Sequence, residues 1–189
     1  MVDNKLTGSS GEHYVCYALA RQGWAASLTR DGLQRTDILA VNTDSRRVVE
    51  IQVKSAGPVR TPFWMLGTRG LVPAESDHEW YVFAALTPTV NQAPTCFVVP
   101  RDHVAAATWI THQDWLTDRT VEVGGRNAPV SQARVSVRAW KRYESRWDLL
   151  EQSTDQVPVL LPPEMRELAQ EDRVGLPKDH PWNVALPTW

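Results

Sequence analysis

Arg46 to Ala56 reads RRVVEIQVKSA. Strand side chains alternate between two faces, so Val49, Ile51 and Val53 point one way while Glu50, Gln52 and Lys54 point the other. One face is apolar and the other carries an acid, an amide and an amine. A surface strand gives this pattern by exposing its polar face, and so does a strand that presents chemical groups to a site. The neighbouring sequence bears on the choice. Thr36 to Thr43, TDILAVNT, is a second run of strand character, and NTDSRR between the two has turn composition. Together they predict an antiparallel hairpin. Asp37, near the start of one strand, then comes level with the end of the other, where Lys54 lies.

Upstream, LTGSSGEHYVCYALARQGW predicts a helix. Ser9 and Glu12 have the spacing of a capping box at its start, Val15 and Leu19 with Tyr14 and Ala18 form an apolar stripe, and Gly23 stops it. Trp24 to Leu28 is expected as a short strand preceding the hairpin. Ala56 to Glu79, broken by Pro58, Pro62 and Pro73, is predicted as loop with one short element around FWML. WYVFAAL and TCFVVP predict two buried strands. RDHVAAATWITHQDWL predicts a helix beginning near Asp102, ARVSVRAW a further strand, and YESRWDLLEQ a short amphipathic helix. The expectation is an α/β domain over 1–150 and an acidic, proline-punctuated C-terminal tail over 151–189, in which Trp182 and Trp189 could anchor the tail to the body or to another subunit.

The 42% hydrophobic and 22% charged residues are those of an ordinary globular protein. No apolar run reaches the roughly 18 residues of a membrane span, and the N-terminal sequence has no signal-peptide core, so no membrane association and a cytoplasmic location are expected. Cys16 and Cys96 lie far apart in apolar segments, as buried free thiols do. The five histidines lack ligand spacing and are expected as ordinary turn or helix residues. Trp80, Trp109, Trp115, Trp140 and Trp147 fall in patterned elements and are expected in the core.

Net charge is −2, which argues weakly against a dedicated nucleic-acid binder. Its distribution is uneven. Residues 151–189 hold seven acidic and three basic side chains, whereas 119–146 holds seven basic and two acidic ones. Arginines in such a segment grip phosphates, and they also protect an exposed strand edge from aggregation.

The hairpin and the helix before it bring Glu12, Asp37, Glu50, Gln52 and Lys54 into one argument. Mg²⁺ takes hard oxygen ligands, usually one or two carboxylates with water and phosphate. Asp37 and an oxygen of Gln52 or Glu50 can begin that set. A lysine beside it can orient or deprotonate an attacking water, or offset charge on a phosphate. At a rise of roughly 3.3 Å per residue, Gln52 lies about 7 Å along the strand from Lys54 and Glu50 about 13 Å. Gln52 is the nearer neighbour. Its amide oxygen is neutral, so Glu12 or Glu50 is expected to supply further negative charge. Each residue also has a plainer reading: Glu12 closing a capping box, Asp37 beginning a strand, Lys54 reaching solvent.

The order GEHYV, TDILAV, EIQVK resembles the PD-(D/E)XK nuclease superfamily, over roughly residues 8–100. The resemblance implies a restriction-endonuclease-like mixed β-sheet flanked by helices. It also implies Mg²⁺ or Mn²⁺ as cofactor and hydrolysis of DNA phosphodiester bonds leaving a 5′-phosphate, with Asp37, Glu50, Gln52, Lys54 and Glu12 as the catalytic and metal-binding set. The superfamily places a carboxylate two residues before the lysine, where this chain has Gln52, a QxK variant; the PD dipeptide is here Thr36-Asp37. Arg126, Arg134, Arg138, Lys141 and Arg142 are expected to hold the DNA backbone. A homodimer is expected because cutting both strands of a duplex commonly needs two active sites. The alternative is an inactive nuclease-fold module that binds nucleic acid or a protein partner.

Overall fold

The computed structural model describes residues 3–29, 34–122 and 124–189. In chain order its elements are α1 (Asn4–Ala20), β1 (Trp24–Leu28), β2 (Ile38–Asn42), β3 (Val48–Ala56), β4 (Phe63–Met65), β5 (Glu79–Ala85), β6 (Thr95–Pro100), α2 (Arg101–Leu116), β7 (Arg134–Ser136) and α3 (Pro163–Ala169), with short 3-10 helices between them. They form two compact units whose segments alternate along the chain. The first comprises 1–62, 75–100 and 143–157, the second 63–74, 101–142 and 158–189.

The first unit is built on a five-stranded mixed sheet in the order β1-β2-β3-β5-β6. β2 and β3 form the expected antiparallel hairpin, with Ile38 opposite Ile51 and Leu39 opposite Glu50. β3 then pairs in parallel with β5, Gln52 beside Tyr81 and Lys54 beside Phe83. A parallel neighbour needs a long return connection, which explains why 57–78 intervenes. β5 is buried along nearly its whole length, as a strand covered on both faces must be, and its WYVFAA run has no polar alternation.

Helix α1 lies against this sheet through Gly11, Val15 and Leu19, spaced four apart on one face. Gly11 lets the helix come close. A Cβ there would stand 1.9 Å from Ser55 Oγ and 3.5 Å from the Ala84 Cβ, so no larger residue fits without movement. The helix starts earlier than expected. Asp3 is its N-cap, accepting from the Lys5 N–H at 2.8 Å, and Ser9 sits two turns inside, so Ser9 and Glu12 do not form a capping box. The Asp3 carboxylate satisfies a free helix N–H first, and this releases Glu12 from capping.

In the second unit, β4 pairs antiparallel with β7, Trp64 opposite Val135. ARVSVRAW remains a strand only to Ser136. From Val137 to Tyr143 it tightens into a 3-10 helix, whose three-residue period puts half-buried Val137 in line with buried Trp140 and Tyr143. YESRWDLLEQ likewise holds a 3-10 helix, Trp147–Glu151, in place of an α-helix. The segment from Pro158 belongs to the second unit. Val174, Met165, Leu168 and Trp182 pack with Ala106 and Ile110 of α2, and the Trp109 indole N–H donates to Val174 O at 2.8 Å. Trp189 donates to Pro162 O at 3.1 Å and lies 5.3 Å from Trp182, which ties the C-terminus to its own unit. Among the described residues no helix is long and apolar enough to cross a membrane.

Candidate active site

Asp37 immediately precedes β2 and is clamped through its backbone. Its N–H donates to Ile51 O, and its carbonyl accepts the Thr29 N–H, both at 2.9 Å. The side chain is thereby aimed across the hairpin. Asp37 Oδ2 accepts from Gln52 Nε2 at 2.5 Å and from the Val53 N–H at 2.7 Å. Two donors on one carboxylate oxygen hold it firmly, since hydrogen bonds to an ionised acceptor are the stronger kind. Among the described residues, Asp37 Oδ1 and Gln52 Oε1 accept no hydrogen bond. Two oxygens are thus left to a ligand.

Glu12 and Lys54 flank this pair. The Glu12 carboxyl is held above its ordinary range, first by burial and next by the negative charge of Asp37, while His13 and Lys54 pull the other way. Asp37 and Lys54 therefore each lie within electrostatic reach of Glu12. Lys54 is half-buried and forms no ion pair among the described residues. Two carboxylates within electrostatic reach of each other and a free amide oxygen are the type of oxygen that Mg²⁺ or Mn²⁺ takes as a ligand. Among the described residues no group of three His, Cys, Asp or Glu side chains is arranged around one point, so the set consists of two carboxylates and the Gln52 amide.

Glu50 is engaged elsewhere. Its Oε2 accepts from Thr36 Oγ1 at 2.9 Å, and its Oε1 lies 3.5 Å from His78 Nε2. In the parallel register Glu50 stands beside Glu79, and the two acids have separate partners. Glu79 is buried, pairs with Arg35 at 2.8 Å, and accepts the backbone N–H groups of Glu75 and Ser76. Arg35 reaches it from a left-handed backbone, φ 81°, and also pairs with Glu75.

No protein-family model, curated protein or solved structure matches the chain.

Four groups around the site escaped the sequence reading: Arg35, Thr36, His78 and Glu79. Thr36 was visible only as the residue replacing a proline. Arg35, Glu79 and His78 join through a parallel strand pairing that no local pattern announces.

The basic segment divides by partner. Arg126 pairs with Asp118 at 3.1 Å, donates to Trp115 O at 2.7 Å, and stacks over the Trp115 ring. Arg146 forms a two-bond pair with Asp148. Arg138, Lys141 and Arg142 are exposed and have no ion pair among the described residues. In the 3-10 helix Arg138 and Lys141 eclipse each other, with Arg142 adjacent. These three retain unspent charge. Arg134, also exposed, lies 5.4 Å from the Phe63 ring.

Trp115 departs from expectation, being exposed rather than in the core, while His103 and His112 lie in α2 as helix residues and, with His180, are buried. Cys16 and Cys96 are free thiols, Cys16 only half-buried. Burial pushes the Cys96 thiol up to about 12, which leaves it protonated and inert.

Proposed function

We propose that this chain is a metal-dependent endonuclease of the PD-(D/E)XK type acting on DNA phosphodiester bonds. The observation that supports it is the arrangement of Asp37, whose Oδ2 is fixed by Gln52 and Val53 while its charge bears on Glu12 and Lys54 stands unpaired nearby. Asp37, Glu12 and the Gln52 amide oxygen would hold Mg²⁺ or Mn²⁺, with Glu50 a neighbour tied to Thr36 and His78. When bound, the cation polarises the scissile phosphate and lowers the pKa of a ligated water. Lys54 places an ammonium where charge develops on the phosphate and orients the attacking water. Gln52 fixes the rotamer of Asp37, and the Val53 N–H fixes its height along the strand. Arg138, Lys141 and Arg142 offer sequence-independent contacts to backbone phosphates.

The test is nicking of supercoiled plasmid with Mg²⁺ or Mn²⁺, compared between wild type and Lys54→Ala. Metal-dependent nicking that the variant lacks supports the reading. A second reading has its own observation. The Gln52 amide N–H occupies an oxygen of Asp37, a self-satisfied pair that a module binding nucleic acid or protein without catalysis could also keep. Metal-dependent thermal stabilisation abolished by Asp37→Ala separates the two.

A further inference from the structure

A concave site lies wholly within the second unit, in a cavity of about 320 Å³ between α2 and the β4–β7 pair. That volume is at the lower end of the range for small-molecule sites. His112 lines it and is 6% exposed, yet its ring nitrogens have no hydrogen-bond partner among the described residues. A buried polar group without a partner costs free energy unless a ligand or water supplies one. Gln132 adds an amide with no side-chain bond, and Met65 and Trp115 give polarisable apolar surface. The Trp115 ring is steadied by the Arg126 guanidinium, 5.2 Å from its centroid, and by the His112 ring at 6.1 Å. Among the described residues no carboxylate lines the cavity. The one formal charge among its described lining residues is Arg134, positioned by the Phe63 ring and free of any ion pair among the described residues.

An aromatic wall, a mixed set of donors and acceptors and one unopposed guanidinium suit a planar, heteroatom-rich ring that carries an anion. We infer that this cavity binds a nucleotide, its base against Trp115 and Met65, its edge read by His112 and Gln132, and its phosphate on Arg134. A hydrocarbon would leave the His112 ring nitrogens without a partner, and an uncharged heterocycle would leave Arg134 unused. The inference does not rest on the nuclease reading, because every residue in it belongs to the second unit.

Titration calorimetry of the full chain with the common nucleoside 5′-monophosphates, their unphosphorylated nucleosides and a 5′-phosphorylated single-stranded oligonucleotide tests it. At least one monophosphate or the oligonucleotide is expected to bind with a Kd below about 1 mM. Arg134→Gln is expected to weaken that binding about tenfold while leaving nucleoside binding unchanged. Gln132→Ala, an exposed change that spares the core, is expected to weaken both phosphorylated and unphosphorylated forms. Binding of the monophosphate alone assigns a free nucleotide, and comparable binding of the oligonucleotide assigns a strand end. Absence of binding by every phosphorylated probe, or binding indifferent to both Arg134→Gln and Gln132→Ala, overturns the inference.

Discussion

Gln52 donates its side-chain amide to Asp37 across the hairpin at 2.5 Å, and the Val53 N–H reaches the same oxygen. Two adjacent residues of β3 thereby fix one carboxylate beside another, that of Glu12. Gln52→Ala is expected to lower stability by about 1.5–3 kcal/mol, the range for a hydrogen bond to a charged group. Gln52→Glu replaces the donor with a third negative charge. In chelator it should lower the melting temperature further, and Mg²⁺ should raise it by more than in wild type, as calorimetric scans with and without metal would read.

Glu12 gives the complementary case. Its carboxyl is held above the ordinary range by burial and by Asp37, so deprotonation opposes folding as pH rises from the unfolded-state pKa through the raised folded one. Glu12→Gln should therefore stabilise the metal-free protein at neutral pH and reduce the stabilisation by Mg²⁺. Thermal melts in chelator and in Mg²⁺ read both effects.

Gly11 and Gly8 lie on one helix with opposite surroundings. A Cβ at Gly11 would enter Ser55, whereas one at Gly8 meets only Glu12 Oε1, at 4.0 Å. Gly11→Ala is expected to cost about 1–3 kcal/mol through overpacking. Gly8→Ala is expected to stabilise by roughly 0.4–1 kcal/mol by reducing unfolded-state entropy in a helix interior. Denaturant unfolding of the two variants should shift in opposite directions.

Buried histidines set the acid limb of stability. Burial depresses His103 from 6.5 to about 3, with the neighbouring His180 acting in the same direction; burial also lowers His180, against its bond to Asp102 O. Below the unfolded-state pKa of 6.5 the unfolded chain binds a proton that the folded chain refuses. Stability from this source is complete above that pH and falls toward about pH 3, at up to about 1.4 kcal/mol per pH unit for His103 alone. Denaturant unfolding across that range should show this slope, and His103→Leu should flatten it.

The sheet was legible where pattern is local. Trp24–Leu28 matches β1 residue for residue, and the alternation of Val49, Ile51 and Val53 against Glu50, Gln52 and Lys54 falls inside β3. Asp37, Gln52 and Lys54 were legible as a group because a hairpin keeps them close in sequence. Their half-burial was not, since it depends on packing beyond the strand. Ser9 and Glu12 had cap spacing, but Asp3 competed for the same role earlier in the chain. The Arg35–Glu79 pair depends on the parallel β3–β5 neighbourhood, which 57–78 conceals. His112 read as an ordinary helix residue and Trp115 as a core one; what distinguishes them is the cavity beside α2.

The most direct test of the central claim is cleavage of supercoiled plasmid and of a branched synthetic DNA by wild type and Lys54→Ala, each with Mg²⁺ or Mn²⁺ and with chelator. The account predicts metal-dependent nicking or cutting of at least one DNA by wild type and none by Lys54→Ala. Cleavage that persists in Lys54→Ala or in chelator, or wild-type protein that cuts neither DNA with either metal, contradicts it.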